Sequence, residues 1–168
     1  MNTMKGMGMP KRNVTERELQ LDEALRRLQA DVEELITLSP DDRLYWKSPT
    51  IDLIELLHTV FTSGGVIDDH GRPATFRWMV QRVCRNLHVT PPANPFAMAS
   101  AARNRKGVRQ SPFIERYRWA LFETGTRRPL QMDIIVKYDG GRRNEEVVVS
   151  GEEEVGRRIC RRMRHTSG

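Results

Sequence analysis

The sequence predicts a mostly α chain with a C-terminal β-hairpin, an α+β fold whose helical core has the element order of a winged helix-turn-helix. Three observations carry that expectation. Apolar residues recur at helical spacing in successive stretches from Leu19 to Leu121. Beyond Gly125 the pattern changes to that of strands, with β-rich runs from Met132 to Tyr138 and from Glu145 to Val149. Between them Asp139-Gly140-Gly141-Arg142 can supply the positive φ angles of a tight turn.

At 168 residues the chain fits one compact domain with decorated ends. Residues 1–13 lack periodicity and read as a disordered start. Residues 14–43 hold an acidic N-terminal helix: Thr15 and Glu18 match a capping box, Leu28, Val32, Leu35 and Ile36 continue its stripe, and Ser39-Pro40 ends it. Residues 44–124 form the helical core. There Ser48-Pro49 caps a helix that is apolar on more than one face from Ile51 to Phe61, the mark of a central element. Ser63-Gly64-Gly65 stops it, Val66-Ile67 suffices for one short strand, and Asp68-Asp69-His70-Gly71 reads as a turn. The next helix runs from Pro73 to about His88, with Phe76, Met79, Val80, Val83 and Leu87 on one side. Arg77, Arg82 and Arg85 lie opposite, with Trp78 among them. After a proline-stiffened connector, Phe96 to Ala102 can start a short helix, and a basic turn follows. Ser111-Pro112 caps a last core helix carrying Phe113, Ile114, Tyr117 and Leu121. Residues 125–168 hold the wing-like hairpin and a basic helix from Glu152 to Met163.

The net charge is +6, and its distribution matters more than its size. No Asp or Glu occurs from His70 to Ile114, so that stretch creates a field of one sign, and such fields attract polyanions. The first expectation is therefore DNA binding by phosphate neutralisation. Arg103, Arg105, Lys106 and Arg109 would be the main contact group, helped by Arg77, Arg82 and Arg85 and, at the wing tip, Arg142 and Arg143. The alternative is a protein–protein interaction module. Seven Asp or Glu face three Arg between Thr15 and Leu35, and this acidic helix, residues 15–36, could dock on the basic face of its own chain or of a second copy.

Nothing points to catalysis, a cofactor or a metal. The chain has no GxxxxGK[ST], GxSxG or HExxH motif, and no GxGxxG following a strand. His58, His70, His88 and His165 are scattered, and Cys84 and Cys160 lack CxxC partners and read as reduced thiols. Asp68-Asp69-His70 is the one compact polar cluster; it reads first as a turn whose side chains bond the backbone, and only secondarily as the basis of an enzyme reading. Asp52 and Glu55 share a helix face and should pair with an arginine of the next helix. No apolar run approaches membrane-spanning length and no signal peptide is visible, so a cytoplasmic protein is expected.

Leu44-Tyr45-Trp46, the run Ile51-Asp52-Leu53-Ile54-Glu55-Leu56-Leu57-His58, Ser63-Gly64-Gly65-Val66-Ile67, Arg103-Asn104-Arg105-Lys106 and Phe113-Ile114-Glu115 follow in order and spacing over residues 44–124. In this the chain resembles the C-terminal region of RteC proteins, regulators carried by Bacteroides conjugative transposons. The resemblance implies a winged-helix DNA-binding region used in transcription regulation of a mobile element. The family's long N-terminal domain is here reduced to one acidic helix, and the segment after Gly125 has no counterpart.

Overall fold

The computed structural model describes residues 15–105 and 111–137. The expected disordered start, the hairpin turn, the run from Glu145 to Val149 and the basic helix from Glu152 lie outside the described residues. Five helices and two short strands follow in order: α1 Glu16–Thr37, β1 Leu44–Trp46, α2 Thr50–Ser63, α3 Phe76–Asn86, α4 Pro95–Asn104, α5 Phe113–Phe122 and β2 Ile134–Val136. The described chain is thus mostly helical with a small antiparallel sheet.

Helix α2 is the central element. Its Leu53, Ile54, Leu56, Leu57 and Val60 are fully enclosed, as the all-round apolar pattern requires. Ala24, Leu28 and Val32 of α1 are equally enclosed, at the four-residue spacing that puts one stripe on one face. Helix α1 packs against α5, α2 and α3, so the acidic helix is a wall of the core and not an appendage. Thr15 accepts from the Glu18 amide while the Glu18 carboxylate accepts from the Thr15 amide, completing the expected box.

The strand content departs from expectation. Strand β2 pairs with β1 in antiparallel register, Leu44 opposite Val136, Tyr45 opposite Ile135 and Trp46 opposite Ile134. Three residues are too few to show a period-2 pattern, so the sequence gives no strand signal at 44–46. Val66-Ile67 forms only an isolated bridge, Ile67 to Pro73, across the Asp68–Gly71 turn. Two predicted caps also fail. Pro49 and Pro112 occupy the cap positions of α2 and α5 without side-chain bonds. The Ser48 hydroxyl turns instead to the Asp133 carboxylate, beside β2. Among the described residues no helix is long and apolar enough to cross a membrane.

Candidate nucleic-acid interface

Helix α3 is fixed at both ends before its outer face comes into play. The Thr75 hydroxyl accepts from the Trp78 amide at the start. Toward the other end, Asn86 Nδ2 donates to the carbonyls of Leu35, at 2.9 Å, and Ile36, at 3.3 Å, and Arg82 Nε donates to Ile36 at 3.2 Å. The last carbonyls of α1 have no partner within their own helix, so α3 supplies one. Arg82 is thereby committed. Its Nη2 lies 3.4 Å from Asp69, and its guanidinium sits 5.9 Å from the Trp78 ring.

What α3 leaves in solvent is the row Arg77, Gln81, Arg85. The i, i+4, i+8 spacing puts them on one side, and at 1.5 Å per residue the two arginines stand about 12 Å apart along the axis. Neither arginine makes an ion pair among the described residues. Gln81 was not singled out in the sequence; its spacing from the two arginines is the signal that could have found it.

The second group lies where α4 ends. Arg103 Nη2 donates to His58 Nδ1 at 3.0 Å, since a guanidinium has no acceptor. Burial first, and then the Arg103 charge, hold the His58 imidazole below its ordinary pKa. Arg105 is differently placed. Its Nη2 lies 3.6 Å from the Asp52 carboxylate, which Arg116 approaches to 3.2 Å. Asp52 is only 3% exposed, so the two guanidinia supply the charge partners that a buried carboxylate needs. Arg105, expected as a primary phosphate contact, thus stands beside a buried carboxylate while its side chain stays partly exposed. Asp52 and Glu55 likewise pair not with α3 but with the α4–α5 region, where Glu55 Oε1 accepts from the Phe113 amide at 3.2 Å. That bond gives α5 the cap that Ser111 does not.

Lys106, Arg109, Arg142 and Arg143 lie outside the described residues. Lys137, not anticipated, stands 4.4 Å from the Tyr45 ring, and Tyr45 stacks on His88 at 4.1 Å. Of the five described candidates, then, Arg77 and Arg85 are exposed and unpaired, Arg103 is bonded to a neutral ring, and Arg82 and Arg105 are held by carboxylates.

Comparison with protein-family models, characterised proteins and solved structures finds no match for this chain.

The acidic helix does not cover the α3 arginines. It engages α5 and the segment behind it: Tyr117 Oη donates to Asp31 at 2.6 Å, Arg128 pairs with Glu34 at 2.9 Å, and Arg17 pairs with Glu115 at 2.9 Å. Burial raises the Asp31 pKa against the lowering effect of the Tyr117 bond, and burial with the Asp31 charge raises that of Tyr117. The Asp68-Asp69-His70 cluster behaves as a turn, with Asp68 Oδ1 accepting the amides of His70 and Arg72 at 2.8 and 3.0 Å. Among the described residues no group of three potential ligands could hold a metal ion. Cys84 is buried, and burial pushes its thiol up to about 11.

Proposed function

We propose that this chain is a DNA-binding regulator or accessory factor of a mobile genetic element, and not an enzyme, with the outer face of α3 as its principal contact surface. The observation that carries the reading is the exposed pair Arg77 and Arg85, unpaired on a helix whose flanks contribute no carboxylate from His70 to Ile114. A major groove is about 12 Å wide, so arginines about 12 Å apart can reach phosphates on both rims. Gln81 between them carries an amide of the kind that pairs with adenine N6 and N7. In a winged helix-turn-helix, α3 would be the recognition helix and the segment after β2 the wing, with Arg142 and Arg143 at its tip. The resemblance to RteC regulators over residues 44–124 supports the same reading and supplies its biological setting.

The test is binding of the purified chain to a generic labelled duplex at several salt concentrations. Log affinity should fall linearly with log salt, and replacing Arg77 and Arg85 by Ala should flatten the slope by about 1.8, at roughly 0.9 per phosphate contact. An unchanged slope removes α3 from the interface.

A second reading, a protein-interaction module, is favoured by a different observation. Trp119 is 56% exposed beside an open groove of about 860 Å³ lined by Arg17, Glu115 and Arg118. Exposed Trp and Arg are enriched at the energetic centres of protein interfaces. If this reading holds, Trp119→Ala abolishes capture of the protein partner and leaves the salt slope on DNA untouched.

A further inference from the structure

Four aromatic rings gather where α2, α3 and α4 meet. Phe76 is the floor, 1% exposed, with His58, Phe61 and Phe96 at centroid distances of 5.1, 5.4 and 4.8 Å from it. The upper three are 6.2 to 6.3 Å from one another, a closed triangle over the floor. The triangle is not sealed. Phe96 is 52% exposed, and His58 and Phe61 are half-buried. Phe96 lies in the first turn of α4 behind the Asn94 cap, so its ring is held at the surface by a stopped helix end and not by a loop. At the rim stands Arg103, exposed, with one N–H on His58 and the others open to solvent.

The charge around the rings has one sign. Helices α3 and α4 contribute no carboxylate, and on α2 Asp52 faces Arg105 and Arg116 while Glu55 faces the Phe113 amide. The Phe96 ring, half exposed and set edge-to-face against His58 and Phe61 at 83° and 78°, with a guanidinium close by, matches a planar base joined to a phosphate. A purely apolar partner would leave Arg103 unpaired, and an acidic peptide would leave the rings uncovered.

We propose that Phe96, resting on Phe76 and braced edge-on by His58 and Phe61, with Arg103 at the rim, forms a stacking platform for an unpaired base of single-stranded nucleic acid, its adjoining phosphate on Arg103. The site is separate from the α3 row. It deepens the DNA-binding reading by assigning the chain a second, single-stranded substrate. It rests on that reading only for its setting.

The test uses the full chain with fluorescein-labelled 12-mers of thymidylate and of uridylate, alongside a blunt duplex. Wild type should bind the single strands. Phe96→Ala should weaken that binding roughly 5- to 150-fold, the loss of about one base–aromatic stack, with duplex affinity unchanged and the chain still folded. An oligomer with abasic sites should bind wild type as weakly as the normal oligomer binds Phe96→Ala. Arg103→Ala should flatten the single-strand salt slope by about 0.7. The two oligomers tell DNA from RNA. Equal binding by wild type and Phe96→Ala, or self-association or vesicle binding that Phe96→Ala abolishes while single strands bind unaltered, overturns the platform. Duplex binding that persists in those cases leaves the α3 reading standing, whereas loss of duplex binding in Arg77→Ala/Arg85→Ala with single-strand binding intact separates the two in the other direction.

Discussion

Asn86 is the residue on which the placement of α3 depends, and replacing it gives a sharp test of the fold. It is 0% exposed and its Nδ2 serves the carbonyls of Leu35 and Ile36. Asn86→Leu keeps the number and branching of the side-chain heavy atoms and removes the donor. Ile36 keeps its bond from Arg82 Nε, so only the Leu35 carbonyl is orphaned, a loss of about 1–3 kcal/mol. Against this, Asn86 Oδ1 is itself buried without a partner, and removing it returns part of the loss. The net destabilisation should be about 1–2 kcal/mol, or a fall in urea midpoint of roughly 0.5–1 M at an ordinary m-value. Asn86→Asp should be worse, because a carboxylate would face two carbonyl oxygens, and its deficit should grow as pH rises. Tryptophan fluorescence and far-UV circular dichroism in urea would measure both. If apolar packing alone fastened α3 to α1, the leucine variant would be as stable as wild type or more so. That outcome, or an aspartate variant no worse than the leucine one, refutes the reasoning.

Tyr117→Phe removes the donor to the partly buried Asp31 carboxylate and should cost about 1.5–3 kcal/mol in urea unfolding; an unchanged midpoint would mean that water replaces the hydroxyl. His58 has a folded pKa below its unfolded value, so between the two the unfolded chain holds a proton that the folded chain refuses. Melting temperature should therefore decline as pH drops below about 6.5 and level off under the folded pKa, and His58→Phe should lessen that decline. Cys84, buried and with its thiol pushed up to about 11, should resist a thiol-specific chromogenic reagent at neutral pH until the chain unfolds; prompt native labelling at this position would contradict its enclosure. Arg105→Ala should lower stability and leave the duplex salt slope nearly unchanged, the reverse of Arg77→Ala/Arg85→Ala.

Helices were legible because their signals are local. The Thr15–Glu18 box, the four-residue spacing of Ala24, Leu28 and Val32, and the all-round apolar face of α2 each state a period or a cap within a few residues. What escaped was set by distant partners. Strand β1 is three residues long and owes its existence to β2, at the other end of the described chain. Ser48 looked like a cap because serine before proline fits the start of a helix, yet the Asp133 carboxyl offers its hydroxyl an acceptor from the far end of the described chain. The candidate site followed the same division. That α3 has an arginine side was written in the helical period. Which of those arginines remain available depended on Asp69 and the end of α1, neither adjacent in sequence to the residue it holds.

The position of α1 also decides what kind of regulation this chain can have. An acidic helix facing a basic domain suggests a mask that a partner could lift, and deleting residues 1–40 would be the obvious way to expose the surface beneath. Helix α1, however, contributes Ala24, Leu28, Val32 and Leu35 to the core and accepts three hydrogen bonds from α3 at its final carbonyls. Lifting it would expose those four buried side chains and Ile36 at once, of order 1–3 kcal/mol for each large one, a sum comparable to the whole stability of a domain this size. Truncation would thus report unfolding and not unmasking. Charge on α1 can act on nucleic acid only from where the helix already lies, through its exposed Glu16, Asp22 and Glu33, by repelling phosphate from the α1–α5 side and so biasing a bound strand toward the α3 row and the ring cluster. Neutralising those three residues with amides should raise non-specific duplex affinity modestly at low salt and leave stability intact. A gain that persists at high salt would mean instead that contacts, and not the field, had changed.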